Sequence, residues 1–239
     1  GLEAHARAAD RRAGDGAAAA AALAALRARA DAQRAAAAAA TPASAPRPRR
    51  AELVRDTGET RIACAVDLDR PGPTRIETGI AFFDHMLDQV ARHGGFALLL
   101  SAEGDLGVDA HHTVEDCAIA LGQTLAQALG DKAGVARFGF TAPLDEAVAQ
   151  VVLDLSGRPF ARFTGDFRRP MIGQYPTELT PHVFRSLADG LRATIHVSVT
   201  GEDDHHKTEA AFKAFGRALR QAVRIEDRDG GVPSTKGVL

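Results

Sequence analysis

Aromatic residues are scarce, at 5% of the chain, with no Trp and a single Tyr. Binding of single-stranded nucleic acid leans on such rings as stacking platforms, so that function class is disfavoured. Cysteine is nearly absent too. Cys64 and Cys117 alone build neither a disulfide framework nor a thiolate zinc motif. They are expected to be small buried residues in a reducing compartment. No apolar run approaches the roughly 18 residues of a membrane span, so the reading is a soluble protein without a membrane partner. Lysine is missing from residues 1–50, which hold nine Arg against Glu3, Asp10, Asp15 and Asp31. The remainder carries 20 basic and 27 acidic side chains, and the whole chain has a net charge of −2. An acidic body of this kind does not gather phosphate backbones at long range. Any phosphate it binds must meet a local cluster of Arg and Lys.

What is present divides into two parts. Residues 1–50 are an Ala/Arg-rich, low-complexity tail with alanine runs at 17–22 and 35–40, closed by the proline-bearing TPASAPRPRR. Alanine favours a helix over 17–40, and the prolines would stop it. The segment has little to bury, so it need not dock. Its Arg-rich, acid-poor character also fits a transit peptide. Opening on Gly1 rather than Met, the chain is expected to be a fragment or the stub of a fusion.

From residue 51 the patterning is that of a folded domain. Strands are predicted at 61–68, 96–104, 147–156 and 193–201, with a turn at DRPGPTR (69–75). Helices are predicted at 82–93, about 113–129 and about 207–224, the last two with apolar residues three or four apart on one face. Residues 111–129 align with 205–223 at an offset of 94. His111, His112 and Glu115 then meet His205, His206 and Glu209, and Gly122 meets Gly216. Upstream, His85 and His182 occupy similar places. The fold class expected is therefore α+β, with two duplicated halves of about 51–140 and 141–239, each a mixed sheet packed on helices.

His-His-x-x-Glu occurs twice, as HHTVE (111–115) and HHKTE (205–209). On a helix, His and Glu at i and i+4 share a face and can grip one ion. The second histidine of each pair projects about 100° away and would tend to serve another ion. Imidazole and carboxylate donors suit manganese, iron or zinc. One such motif could arise at any solvated helix start; two at matching places in a repeat point to metal binding. His196 reads as a structural residue of a strand, and His93 as a helix-terminal histidine or a site residue. The C-terminal GGVPSTKGVL is either a flexible tail or a turn that wraps an anion with Ser234, Thr235 and Lys236. Arg137 in RFGF and Arg158 in SGRPF could complete such a clamp.

The runs GIAFFDHMLDQVARHGGF (79–96), DLGVDAHHTVEDCAIALGQ (105–123), APLDEAVAQVVLDLSGRPF (142–160), HHKTEAAFKAFGRALR (205–220) and GVPSTKGVL (231–239) resemble imidazoleglycerol-phosphate dehydratases. The likeness runs over about 52–239, in order, and leaves out the tail. It implies a ribosomal S5 domain 2-like α+β fold, two Mn2+ per active site, and homo-oligomers of commonly 24 subunits with sites between subunits. Implied metal ligands are His85, His111, His112, Glu115, His182, His205, His206 and Glu209. Substrate-binding residues would be Glu59, His93 and Thr235, with phosphate contacts at Arg137, Arg158, Lys213, Ser234 and Lys236. The reaction implied is dehydration of imidazole glycerol phosphate in histidine biosynthesis, through an imidazolate held by two manganese ions. Glu59 would be its acid/base, and Glu115 and Glu209 would also be essential to turnover. The expected location is the cytoplasm, or the plastid if residues 1–50 derive from a transit peptide. Another dinuclear-metal hydrolase, or a non-catalytic metal-binding assembly protein, would share the histidine pattern. Because the tail offers little to bury, deleting residues 1–50 should leave turnover and assembly nearly unchanged. A large loss of activity in the truncated protein would contradict that.

Overall fold

The computed structural model describes Ala25, Ala28, residues 48–140, 142–226, 231–234 and 236–239. Two units are distinguished, Gly1–Pro46 and Arg47–Leu239. The helix expected over 17–40 lies almost wholly outside the described residues; Ala25 and Ala28 are helical.

The second unit begins with the hairpin β1 (Arg50–Asp56) and β2 (Thr60–Asp67), followed by β3 (Thr74–Glu77), α1 (Ala81–Gly94), β4 (Ala97–Gly104) and α2 (His111–Leu129). Then come β5 (Phe138–Gly139), β6 (Ala142–Leu144), β7 (Ala147–Asp154), β8 (Phe160–Thr164), β9 (Met171–Ile172), β10 (Tyr175–Pro176), α3 (Leu179–Leu191), β11 (Thr194–Thr200) and α4 (Asp204–Ala222). The first sheet has the order β1-β2-β4-β3. The second has β5-β7-β11-β8, with β6 also on β7. In both, the two central strands are antiparallel and the last strand joins in parallel. The two halves thus repeat one topology, as a duplication requires.

Strand alternation decides which face each sheet buries. Ala147, Ala149, Val151 and Leu153 of β7 point inward, while Val148, Gln150 and Val152 point out. Helices α1 and α2 lie on the first sheet, and α3 and α4 on the second. The helices also pair across the halves, α1 with α4 and α2 with α3. One apolar core runs through all of these layers, with Phe83, Leu121, Phe184, Phe212 and Phe215 at its centre.

Glycine makes the helix pairing possible. A Cβ on Gly190 would sit 2.5 Å from the Ile119 carbonyl oxygen, and one on Gly122 2.8 Å from that of Leu187. Gly216, the repeat partner of Gly122, stands in the same relation to α1, its Cβ 2.6 Å from the Val90 carbonyl oxygen. Backbone therefore touches backbone at both crossings.

Element ends differ from the sequence expectations in ways the local chemistry explains. Helix α4 starts at Asp204 because Asp203 caps it, accepting hydrogen bonds from the His205 and His206 amides. Helix α2 starts at His111, two residues early, with no side-chain cap. Strand β1 begins at Arg50, and Arg49 is anchored by its guanidinium to Asp69 at 2.8 Å. Arg49 and Arg50 thus belong to the folded domain, not the tail, and a truncation testing the tail should stop at Pro46. Strand β5 already joins the second sheet, so the halves divide before Phe138 rather than after residue 140. Cys64 and Cys117 are buried as expected, and burial pushes the Cys64 thiol up to about 12.

Gly190→Ala should destabilise the fold. Overpacking of about 1–3 kcal/mol exceeds the roughly 1 kcal/mol gained from helix propensity. Gly107→Ala, whose added methyl meets nothing within 4 Å, is the control. Urea midpoints of the two variants check this; equal midpoints would contradict the crossing account.

Candidate metal and substrate site

Both crossings bring histidine and carboxylate together across the halves. On α2, His111 Nε2 lies 3.8 Å from Glu115 Oε2, one turn on. From α3, His182 Nε2 reaches Glu115 Oε1 at 3.1 Å. Their three ligand atoms all lie within 4.8 Å of one another. Geometry matters more than the short distance here: His182 Nε2 is buried yet makes no hydrogen bond. An orphaned imidazole nitrogen, aimed at the space it shares with a second imidazole and a carboxylate, fits a borderline divalent cation.

The other crossing repeats the arrangement. His205 Nε2 is 3.2 Å from Glu209 Oε2, and His85 Nε2 from α1 is 3.9 Å from the same oxygen. This set is more heavily engaged. Lys213 Nζ holds Glu209 Oε1 at 2.6 Å, and Gln89 Nε2 lies 3.3 Å from His85 Nε2. Burial pushes the Glu209 carboxyl up, but Lys213, His85 and His205 outweigh it, and the group ends below its usual value.

The second histidine of each pair faces elsewhere. His112 Nδ1 bonds Asp105 Oδ2 at 2.9 Å, and its Nε2 is 3.7 Å from Glu59 Oε1. His206 Nδ1 bonds Glu146 Oε2 at 2.7 Å. These hydrogen bonds raise both imidazoles above their ordinary value, and the bond to His206 pulls Glu146 down to about 2.

Glu59 is exposed on the β1–β2 turn. The buried Asp116, one position after Glu115, clamps that hairpin. It accepts the Thr60 hydroxyl at 2.6 Å and two bonds from the Arg55 guanidinium, at 2.9 and 2.7 Å. Sequence reasoning missed Asp116, Asp105 and Glu146. Asp116 breaks the repeat, facing Ala210 at the 94-residue offset, and that asymmetry was the available signal.

The expected phosphate contacts, with the substrate contact His93, fall into two groups. Arg137, in the left-handed region at φ 70°, forks onto Asp154 and donates to the Pro233 carbonyl at 2.9 Å. It thereby anchors the C-terminal turn, where Ser234 Oγ accepts the Lys236 amide. Leu239 lies against Gly157, whose φ of 74° and lack of a Cβ admit it, and so passes beside Arg158. Arg158 itself bonds the Ser156 carbonyl at 3.1 Å. Thr235 lies outside the described residues. The second group is Lys213 with His93, whose ring is held below its usual value by burial and by the Lys213 and Arg217 charges. His196 is exposed on β11, its ring 5.4 Å from Phe160.

The chain is similar to known proteins in sequence and fold. Residues 78–219 match the family described as imidazoleglycerol-phosphate dehydratase. The chain is 54% identical over 191 residues to the histidine biosynthesis bifunctional protein HisB of Stenotrophomonas maltophilia, covering 80% of this chain and 53% of that protein. The HisB of Actinobacillus pleuropneumoniae is 53% identical over 191 residues, covering 80% and 52%. The chain thus spans about half the length of these curated relatives. Among solved structures, the imidazoleglycerol-phosphate dehydratase of Staphylococcus aureus superposes with a TM-score of 0.67 at 35% identity, over 74% of this chain and 99% of that one. IGPD from Pyrococcus furiosus gives 0.68 at 36%, over 78% and 100%.

Asp116→Ala should cost about 1–3 kcal/mol, because it removes the acceptor of both Arg55 bonds and of the buried Thr60 hydroxyl, leaving that hydroxyl only its contact with Thr57. Amide exchange at Thr57 to Thr60 should quicken. Unchanged exchange there would contradict the clamp.

Proposed function

Because the chain belongs to the imidazoleglycerol-phosphate dehydratase family, we propose that it removes water from imidazole glycerol phosphate to give imidazole acetol phosphate, a step of histidine biosynthesis. The observation that carries this reading is the pair of His-His-Glu sets, one at each helix crossing. Their proposed occupants are two manganese ions. Bound there, the pair would supply Lewis acidity toward the substrate's imidazole ring.

The chain's own residues do the rest. The hydroxyl leaves the carbon attached to the ring, and the proton leaves the next carbon, giving an enol that relaxes to the ketone. Glu59, a carboxylate outside both His/Glu sets on a clamped turn, is the proposed acid/base for these transfers. Arg137, Arg158, Lys213, Ser234 and Lys236 are the proposed phosphate contacts, supplying binding energy remote from the reacting carbons. His112 and His206, aimed away from their own sets, are proposed to complete the opposite ion's shell across a subunit boundary. The implied homo-oligomer, with 24 subunits expected, draws support from Val148, Val152 and Phe160, which leave an apolar outer face on the second sheet. The bacterial relatives favour a cytoplasmic enzyme over a plastid one.

Following consumption of imidazole glycerol phosphate with manganese present tests the reading. A dinuclear hydrolase or a non-catalytic assembly protein would form no imidazole acetol phosphate. Glu59→Gln should lower kcat by about 10²–10⁴-fold while retaining metal. Arg158→Ala should chiefly raise KM. Chelation should shrink the particle and manganese should restore it, because metal and assembly are linked by mass action. A sedimentation profile indifferent to chelator would contradict the shared site.

A further inference from the structure

The two sheets carry equivalent hairpins with the same residue at the same place. In the first, Thr57 faces Thr60 and Gly58-Glu59 forms the turn. In the second, Leu144 pairs with Ala147 and Asp145-Glu146 forms the turn. Glu146 is therefore the structural duplicate of Glu59, although 87 residues separate them rather than the 94 of the helix repeat. Their environments have diverged. Glu59 stands 3.7 Å from His112 Nε2, while Glu146 accepts from His206 Nδ1 at 2.7 Å and from the Asp203 amide at 3.0 Å. In the first half the Nδ1 bond is made instead by Asp105, from the β4–α2 loop, to His112 at 2.9 Å. Asp105 follows Gly104 at the end of β4; the residue that follows Gly201 after β11 in the second half is Glu202, which is exposed.

We propose that Asp105 and Glu146 are positioning residues that lock His112 and His206 with the proton on Nδ1 and Nε2 presented to a metal ion. The proposal rests on the reading of these two histidines as ligands. A carboxylate bonded to Nδ1 fixes both tautomer and ring orientation and makes the free nitrogen more basic. The same exchange explains why only one hairpin glutamate serves the chemistry. Asp105 has taken over the histidine of the first half, leaving Glu59 free to move protons. Glu146 is committed to His206. Asp116 completes the divergence, since it clamps the Glu59 hairpin and its counterpart Ala210 cannot clamp the other.

Equilibrium dialysis against manganese tests this on the full chain. Asp105→Ala and Glu146→Ala should each bind manganese about 10–100-fold more weakly at one of the two sites. Glu146→Gln keeps a carbonyl that accepts from Nδ1 and should recover most of that loss. Glu59→Gln should bind manganese like the parent while losing turnover. Nitrogen NMR of the metal-free chain reads the lock directly: His206 should be Nδ1-protonated in the parent and a tautomer mixture in Glu146→Ala. Parent-like manganese affinity in both alanine variants would overturn the proposal, as would a tautomer mixture in the parent. Parent-like affinity in His112→Ala and His206→Ala would instead overturn the ligand reading beneath it.

Discussion

The site depends on two places where helix backbones touch. Helices normally pack with axes about 8–10 Å apart, spaced by side chains. Here Gly122 against Gly190, and Gly216 against α1 beside Gly94, remove the spacers. Glu115 precedes Gly122, and Glu209 precedes Gly216, by two turns, about 10 Å along the axis. Close to the crossing, helices from the two halves have not yet diverged, so His182 reaches Glu115 and His85 approaches Glu209. Neither half contains a complete set of its own. The duplication therefore yields one unit rather than two domains.

Packing and chemistry are coupled through this geometry. The core residues Phe83, Leu121, Phe184 and Phe212 lie on the same four helices that carry the histidines. A substitution that widened a crossing would disturb the core and the donor set together. At the rim, Asp116 does for the Glu59 hairpin what the glycines do for the helices, tying the turn to the helix position next to Glu115.

Much of this was legible in the sequence because duplication writes each feature twice. The 94-residue repeat brought out His111, Glu115, His205 and Glu209, and the i, i+4 spacing placed each pair on one face. The strands on either side of each crossing were visible as alternating runs. What escaped notice lacked periodicity or depended on contacts remote in sequence. The short strands β5 and β6 have no pattern of their own, and β1 begins among arginines that read as tail. That His182 meets the first pair and His85 the second follows from the crossings, and no local motif announces it. Asp105 and Glu146 each meet their histidine through one hydrogen bond, Glu146 across 60 residues of chain. The pairing of Gly122 with Gly216 was visible in the alignment, but its role required knowing which helices cross.

The two halves are alike in scaffold and unlike in their protons. Both glutamates of the duplicated turn are exposed, but only Glu146 is hydrogen-bonded to a histidine, so a symmetric frame carries an asymmetric reaction site in the proposed mechanism. The metal count tests the central claim most directly: each helix crossing builds one ion site. Atomic emission on the purified protein should give two manganese per chain, falling to one in Glu115→Gln and to one in Glu209→Gln. Two tightly held ions per chain in both variants would contradict it.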